Sequence, residues 1–109
     1  MLFRSGASVN PALLRVGELR LDLEAHEVYR GTESIRLTPT EYRLLEMLMR
    51  SPGRVVPRAQ LVDAGWDGSA GDAENRLDVT MSSLRTKVDP QREFLQTVRG
   101  FGYKILDRP

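Results

Sequence analysis

The residues able to do chemistry are few, and they gather late in the chain. Asn75, Val79, Thr80, Ser82, Ser83 and Thr86 recur at helical spacing and make one slim face of an amide, hydroxyls and methyl groups. Arg76 and Lys87 edge that face, and Arg99 stands at the shoulder of a Gly100-Phe101-Gly102 turn. A helix enters the DNA major groove only if its outer face is slender and offers donors or methyl groups, and this face meets that condition. Cations on the rim suit phosphates, and an arginine at a hairpin tip suits a narrow, electronegative minor groove. The plainer reading is a solvated surface helix followed by a stabilising hairpin, since small polar faces are common.

Composition removes most other chemistries. With zero Cys there are no disulfides and no thiolate metal sites, and a single histidine, His26, excludes a two-histidine metal site. Asp67, Asp72 and Glu74 lack the spacing of a calcium loop, and no Gly-Lys-Ser/Thr follows Gly100-Phe101-Gly102 to make a phosphate loop. Ser82-Ser83 has no neighbouring base to activate a nucleophile. Met47, Met49 and Met81 include core-stripe positions rather than a cofactor box, and His26 reads as a plain surface histidine. No catalytic residue, no metal and no cofactor is expected. No apolar run approaches the roughly 18 residues that span a bilayer, and MLFRSGASVN has no apolar signal region, so no membrane partner is expected and a cytoplasmic setting is.

Charge is uneven along the 109 residues. Residues 1–74 carry nine arginines against eleven acids, net −2, whereas residues 75–109 carry seven bases against four acids, net +3. The basic end is the one that holds the slim helix and the turn arginine, which favours a polyanion there.

These groups need elements to position them. Residues 1–12 have no periodicity and read as a linker or tail, leaving one domain over 13–107. Leu14 and Val16, Leu19 to Leu23, Val28-Tyr29, and Ile35 with Leu37 alternate as four short strands of an antiparallel meander. Thr38-Pro39-Thr40-Glu41 predicts a capping box at a helix start, with Tyr42, Leu45, Leu48 and Met49 as its core stripe. Ser51-Pro52-Gly53 ends that helix, Val55-Val56 is a short β-like stub, and Pro57 opens a second helix carrying Leu61, Val62 and Trp66. A loop over Trp66–Glu74 leads to a third helix over about Asn75–Val88, whose Leu77, Met81, Leu84 and Val88 fall within about 60° of one another. Two strand-like runs around Arg99-Gly100-Phe101-Gly102 then form a hairpin.

At this point the chain resembles the OmpR/PhoB-type effector domain of bacterial two-component response regulators. The matching stretches are Leu37-Thr38-Pro39-Thr40-Glu41-Tyr42-Arg43-Leu44-Leu45, Ser51-Pro52-Gly53-Arg54-Val55-Val56, Arg76-Leu77-Asp78-Val79, Leu84-Arg85-Thr86-Lys87 and, most specific, Gln96-Thr97-Val98-Arg99-Gly100-Phe101-Gly102-Tyr103. The resemblance implies an α+β winged helix-turn-helix: three helices, an N-terminal four-stranded antiparallel sheet and a C-terminal β-hairpin wing. It implies that the third helix reads bases through Val79, Ser83 and Arg85. Phosphate contacts fall to Arg76, Thr80 and Ser82, with Lys87 on the rim, and further backbone contacts to Trp66, Thr97 and Tyr103. Arg99 matches the wing arginine of the minor groove. The loop with Asp67, Gly68, Asp72 and Glu74 resembles the segment that some members present to RNA polymerase. The partners so implied are double-stranded DNA, with two copies on direct repeats, RNA polymerase, and a receiver domain with its sensor kinase in a longer chain.

The departures from the family pattern also carry expectations. Many members have two adjacent arginines where this chain has Ser82-Ser83, which predicts weaker binding or a site read more by Val79, Thr80 and the wing. Pro57 replaces a capping Ser or Thr, and Thr80 replaces a common His. The alternative from another class is a winged-helix protein-interaction module with weak or lost DNA binding.

Overall fold

The computed structural model describes residues 12–66 and 73–107. The expected tail, apart from Ala12, lies outside the described residues, as do Asp67, Gly68 and Asp72. Four strands come first: β1 (Leu13–Val16), β2 (Leu19–Asp22), β3 (Glu27–Arg30) and β4 (Glu33–Ile35). They pair antiparallel in chain order. The register places Leu14 opposite Leu21, Leu21 opposite Val28, and Val28 opposite Ile35. One apolar row therefore crosses the whole sheet on its inner face, as strand alternation requires. Leu37 lies beyond the last strand, half-buried against the core.

Helix α1 (Pro39–Met49) starts as the sequence predicts. The Thr38 hydroxyl accepts from the Glu41 N–H at 3.1 Å, and the Glu41 carboxylate accepts from the Thr38 N–H at 2.9 Å. Helix α2 (Arg58–Trp66) begins one residue later than expected. Pro57 belongs to a two-residue strand, β5 (Val56–Pro57), and the first helical N–H, that of Arg58, donates to the Phe101 carbonyl. Arg43 on α1 closes the far end of α2 by donating to the Ala64 and Gly65 carbonyls at 3.1 and 3.0 Å. Helix α3 runs Ala73–Val88. Its stripe of Leu77, Met81, Leu84 and Val88 is fully buried against α1 and α2. Each such side chain contributes roughly 1.5–3 kcal/mol by leaving water.

The C-terminal hairpin, β6 (Leu95–Val98) and β7 (Gly102–Ile105), is joined by β5 into a three-stranded sheet of order β5-β7-β6. The stub at Val56 thus anchors the wing: Val56 pairs with Tyr103 and Pro57 with Gly102. Gly102 is obligatory there, because a Cβ would lie 2.0 Å from the Val56 carbonyl oxygen. The hinge into the wing is fixed by Asp89, buried, whose carboxylate accepts from the N–H groups of Glu93, Phe94 and Leu95 at 2.8–2.9 Å. His26 is exposed but stacks on Tyr42, with ring centroids 4.7 Å apart.

Candidate nucleic-acid interface

With its core stripe buried, α3 has one arc facing water and two flanks. The arc carries Asn75, Val79, Ser82 and Thr86, all exposed, with Arg76 at its edge. Val79 is 71% exposed, and Arg76 has no hydrogen bond or ion pair among the described residues. Thr86 turns its hydroxyl back to the Ser82 carbonyl at 3.0 Å, which keeps the arc low. Thr80 is half-buried beside it.

The first flank faces the start of α1. Ser83 donates its hydroxyl to Glu41 Oε2 at 2.6 Å, and Lys87 Nζ meets Glu41 Oε1 at 2.7 Å. Glu41 is only 3% exposed, so its carboxylate needs these donors. Burial alone would push its pKa up. The bonds from Lys87, Ser83 and the Thr38 N–H outweigh burial and hold the carboxyl below its usual range. Four residues apart, Ser83 and Lys87 stand one above the other on the helix and reach one acceptor. Past Lys87, Arg30 of β3 donates to the Lys87 and Val88 carbonyls at 3.4 and 3.3 Å, closing the end of α3.

The second flank faces α2 and the wing. Asp78 accepts from Arg58 at 2.8 and 3.3 Å and from the Tyr103 hydroxyl. The Arg58 bond, then the Tyr103 bond, hold the Asp78 carboxyl below its usual range. Burial, reinforced by the bond to Asp78, pushes the Tyr103 hydroxyl up to about 12. Arg85 donates to the Leu95 carbonyl at 3.1 Å and to the Thr97 hydroxyl at 2.8 Å, tying α3 to β6. Glu74, exposed in the first turn of α3, pairs with Arg58 at 3.5 Å.

The wing tip is Arg99-Gly100-Phe101. Gly100 adopts φ +84°, where a side chain would be strained, and the Phe101 N–H closes the turn on the Val98 carbonyl at 2.9 Å. Arg99 is exposed and has no hydrogen bond or ion pair among the described residues, and Phe101 beside it is 70% exposed.

The structure therefore divides the expected site residues. Val79, Ser82, Arg76 and Arg99 face water, and Thr80 lies half-buried next to them. Ser83, Lys87 and Arg85 point into the flanks and hold internal partners. Thr97 accepts from Arg85, and Tyr103 is buried with its hydroxyl on Asp78. Trp66 ends α2, half-buried against the core. Sequence reasoning gave no site role to Glu41 and Asp78, the acceptors on which the two flanks converge. No local signal marked Glu41 beyond its place in the capping box, because its burial is set by the packing of α1 against α3.

Among the described residues no group of three or more acids and histidines could hold a metal ion, and no helix is long and apolar enough to cross a membrane. Residues 31–105 match the family model described as "Transcriptional regulatory protein, C terminal". The chain is 43% identical over 107 residues to the phosphate regulon transcriptional regulatory protein PhoB of Rhizobium meliloti (strain 1021), covering 96% of this chain and 47% of that protein. It is 43% identical over 108 residues to the transcriptional regulatory protein TcrA of Mycobacterium tuberculosis (strain ATCC 25618 / H37Rv), covering 95% of this chain and 42% of that one. The chain thus spans about half the length of the curated relatives it matches. Among solved structures it is similar to the Klebsiella pneumoniae RstA DNA-binding domain in complex with the RstA box, at TM-score 0.76 and 26% identity, over 88% of this chain and 98% of that one.

Proposed function

The chain belongs to the family of transcriptional regulatory protein C-terminal domains of OmpR/PhoB type, and on that premise we propose that it binds double-stranded DNA in a sequence-specific manner and regulates transcription as the effector domain of a two-component response regulator. The observation that supports this best is the water-facing arc of α3 around Val79, edged by Arg76 and accompanied by Arg99 on the wing, neither of which has a partner among the described residues. A solvent-facing valine and two cations without partners among the described residues all suit a duplex. In this reading Val79 meets base edges, Arg76, Thr80 and Ser82 meet phosphates, and Arg99 enters the minor groove. Ser83, Arg85 and Lys87 orient the helix from its flanks, and Thr97 and Tyr103 orient the wing. The partners proposed beyond DNA are a second copy on a direct repeat, RNA polymerase at the segment from Asp67 to Glu74, and a receiver domain with its sensor kinase in the longer protein. The proposed setting is the cytoplasm, and the role is binding rather than catalysis.

The internal pairing of Lys87 and Arg85 favours a second reading, a winged-helix module that contacts protein and no longer DNA. One experiment separates the two. Duplexes selected from a random pool are titrated by fluorescence anisotropy across salt concentrations. The first reading expects log affinity to fall steeply with log salt, by about 0.9 per phosphate neutralised, and Arg76→Ala to flatten that slope by about one unit. No enrichment of any sequence, with no binding at low salt, overturns it in favour of the second.

A further inference from the structure

We propose that Asp78 is a positioning residue that fixes the wing against the recognition helix, and so sets the placement of Arg99 relative to Val79. This rests on the DNA-binding reading above. Asp78 follows Leu77, the first residue of the buried stripe, and precedes Val79, the most exposed apolar residue of the arc. Its carboxylate is tied to two points on one limb of the wing, the turn at Phe101 and the strand at Tyr103. The Tyr103 hydroxyl, from the central strand β7, donates to it directly. Arg58 donates to it twice, and the same residue's backbone N–H donates to the Phe101 carbonyl at 3.2 Å. Arg58 also reaches the Glu74 carbonyl at 3.2 Å, one turn earlier on α3. Two independent paths therefore run from one carboxylate to residues 101 and 103, on either side of Gly102.

Arg99 itself has no partner among the described residues, and within them the backbone of the turn decides where its guanidinium starts. Whatever holds Phe101 and Tyr103 holds Arg99. Stability alone does not account for the arrangement. The Asp78 side chain is 60% exposed, and an exposed ion pair contributes little to folding. What a two-bond Arg–carboxylate pair supplies is angular definition. Arg58 also neutralises an acid that would otherwise stand beside approaching phosphates. Distance between two groove-reading elements matters because misplacement of one forfeits its contact without touching the other.

The test uses this chain and a duplex it selects, in a double-mutant cycle of Arg99→Ala with Tyr103→Phe, repeated with Asp78→Asn. In the unaltered background Arg99→Ala is expected to weaken binding about tenfold or more, and in either altered background less than about threefold. Arg76→Ala should cost the same factor in every background, because its helix does not depend on the wing. Tyr103→Phe removes only a hydroxyl and keeps the ring in the core, so a folded variant is available even where Asp78→Asn is damaged. Amide-nitrogen relaxation of residues 98–102 in the DNA-free chain is the second readout, with lower order expected in both variants and no change in β1–β4. An Arg99→Ala penalty equal in all backgrounds, or wing order unaltered, overturns the proposal. Failure of the unaltered chain to select any duplex overturns the DNA reading instead, and the relaxation result then still decides whether Asp78 holds the wing.

Discussion

Replacing Lys87 by methionine isolates the buried carboxylate on which α3 rests. The substitution keeps the stem that covers Glu41 and removes only the ammonium, 2.7 Å from Oε1. Deleting one partner of a buried ion pair costs about 3–5 kcal/mol, chiefly because the other charge is left uncompensated. Here Lys87 is about one-third exposed, and Glu41 keeps its bonds from Ser83 and the Thr38 N–H. The expected loss at pH 7 is therefore smaller, about 2–3 kcal/mol, or roughly 8–12 °C in melting temperature for a domain of this size.

The pH dependence carries the sharper signature. In the unaltered protein Glu41 titrates below its unfolded value. Its contribution is thus complete above that unfolded value and is lost as pH falls through the folded one. In Lys87→Met the bond that did most to offset burial is gone, so the carboxyl rises from its value in the unaltered protein. The variant therefore has less of this contribution to lose as pH falls. Urea unfolding at intervals from pH 7 to pH 4 should show the gap between the two proteins narrowing steadily, and the double change with Glu41→Gln should remove the narrowing. A gap below about 0.5 kcal/mol at pH 7, or one that stays constant down to pH 4, would show that Lys87 and Glu41 are not paired in solution.

Three further outcomes are expected. Gly102→Ala drives a Cβ to 2.0 Å from the Val56 oxygen and 3.0 Å from Pro57 Cα, both backbone; β5 and β7 must part, for a loss of about 3 kcal/mol in urea unfolding, and a loss under about 1 kcal/mol would contradict the pairing of Val56 with Tyr103 and of Pro57 with Gly102. Tyr103, raised to about 12, stabilises fully below its unfolded pKa near 10 and loses that contribution as pH rises through the folded value. Stability should therefore fall by about 2–3 kcal/mol between pH 10 and 12, a fall absent in Tyr103→Phe, with absorbance near 295 nm following the phenolate. Ser82→Arg extends the exposed arc and should tighten duplex binding while steepening the salt slope by about one unit, whereas Ser83→Arg breaks the Glu41 bond and lowers the melting temperature first; equal effects in binding and melting would mean that Ser83 is not turned inward.

Local signals carried most of the fold. The capping box at Thr38–Glu41, the strand alternation through Ile35 and the α3 stripe are each written within a few residues of one another, and each appears as the pattern requires. The stub at Val56 gave no hint of its partner, because pairing across 47 positions to Tyr103 is set by the tertiary fold. Proline at 57 reads as a helix start, yet it is equally suited to an edge strand, where no N–H is needed. In the site, helical spacing found the exposed arc and placed Arg76 and Lys87 at its edge, but it also put on that arc Ser83, which turns inward to Glu41. What spacing could not say is which flank residues meet an acceptor on another element. Glu41 on α1 supplies the acceptor for Ser83 and Lys87, Leu95 and Thr97 on β6 supply those for Arg85, and Asp78, on α3 itself, takes its donors from Arg58 and Tyr103; none of these pairings is visible from α3 alone.

That division constrains how such a helix can recognise anything. Residues on the flanks hold α3 through internal partners, and each one that does so commits a donor inside the fold. Four donors are withdrawn in this way: Ser83 and Lys87 towards Glu41, Arg85 towards β6, and Tyr103 towards Asp78. What remains on the outside is short: Val79, Ser82, Thr86 and the cations Arg76 and Arg99. A surface with so few free cations on a chain of net charge +1 draws little non-specific affinity from phosphates. On the DNA-binding reading proposed here, discrimination comes from placement, with a fixed helix arc and a fixed wing arginine addressing two grooves at once. The proposed second copy on an adjacent site then supplies affinity, because it binds at the high effective concentration created by the first. The rigid internal anchoring of α3 and the tandem arrangement proposed for this family member are therefore two sides of one physical requirement.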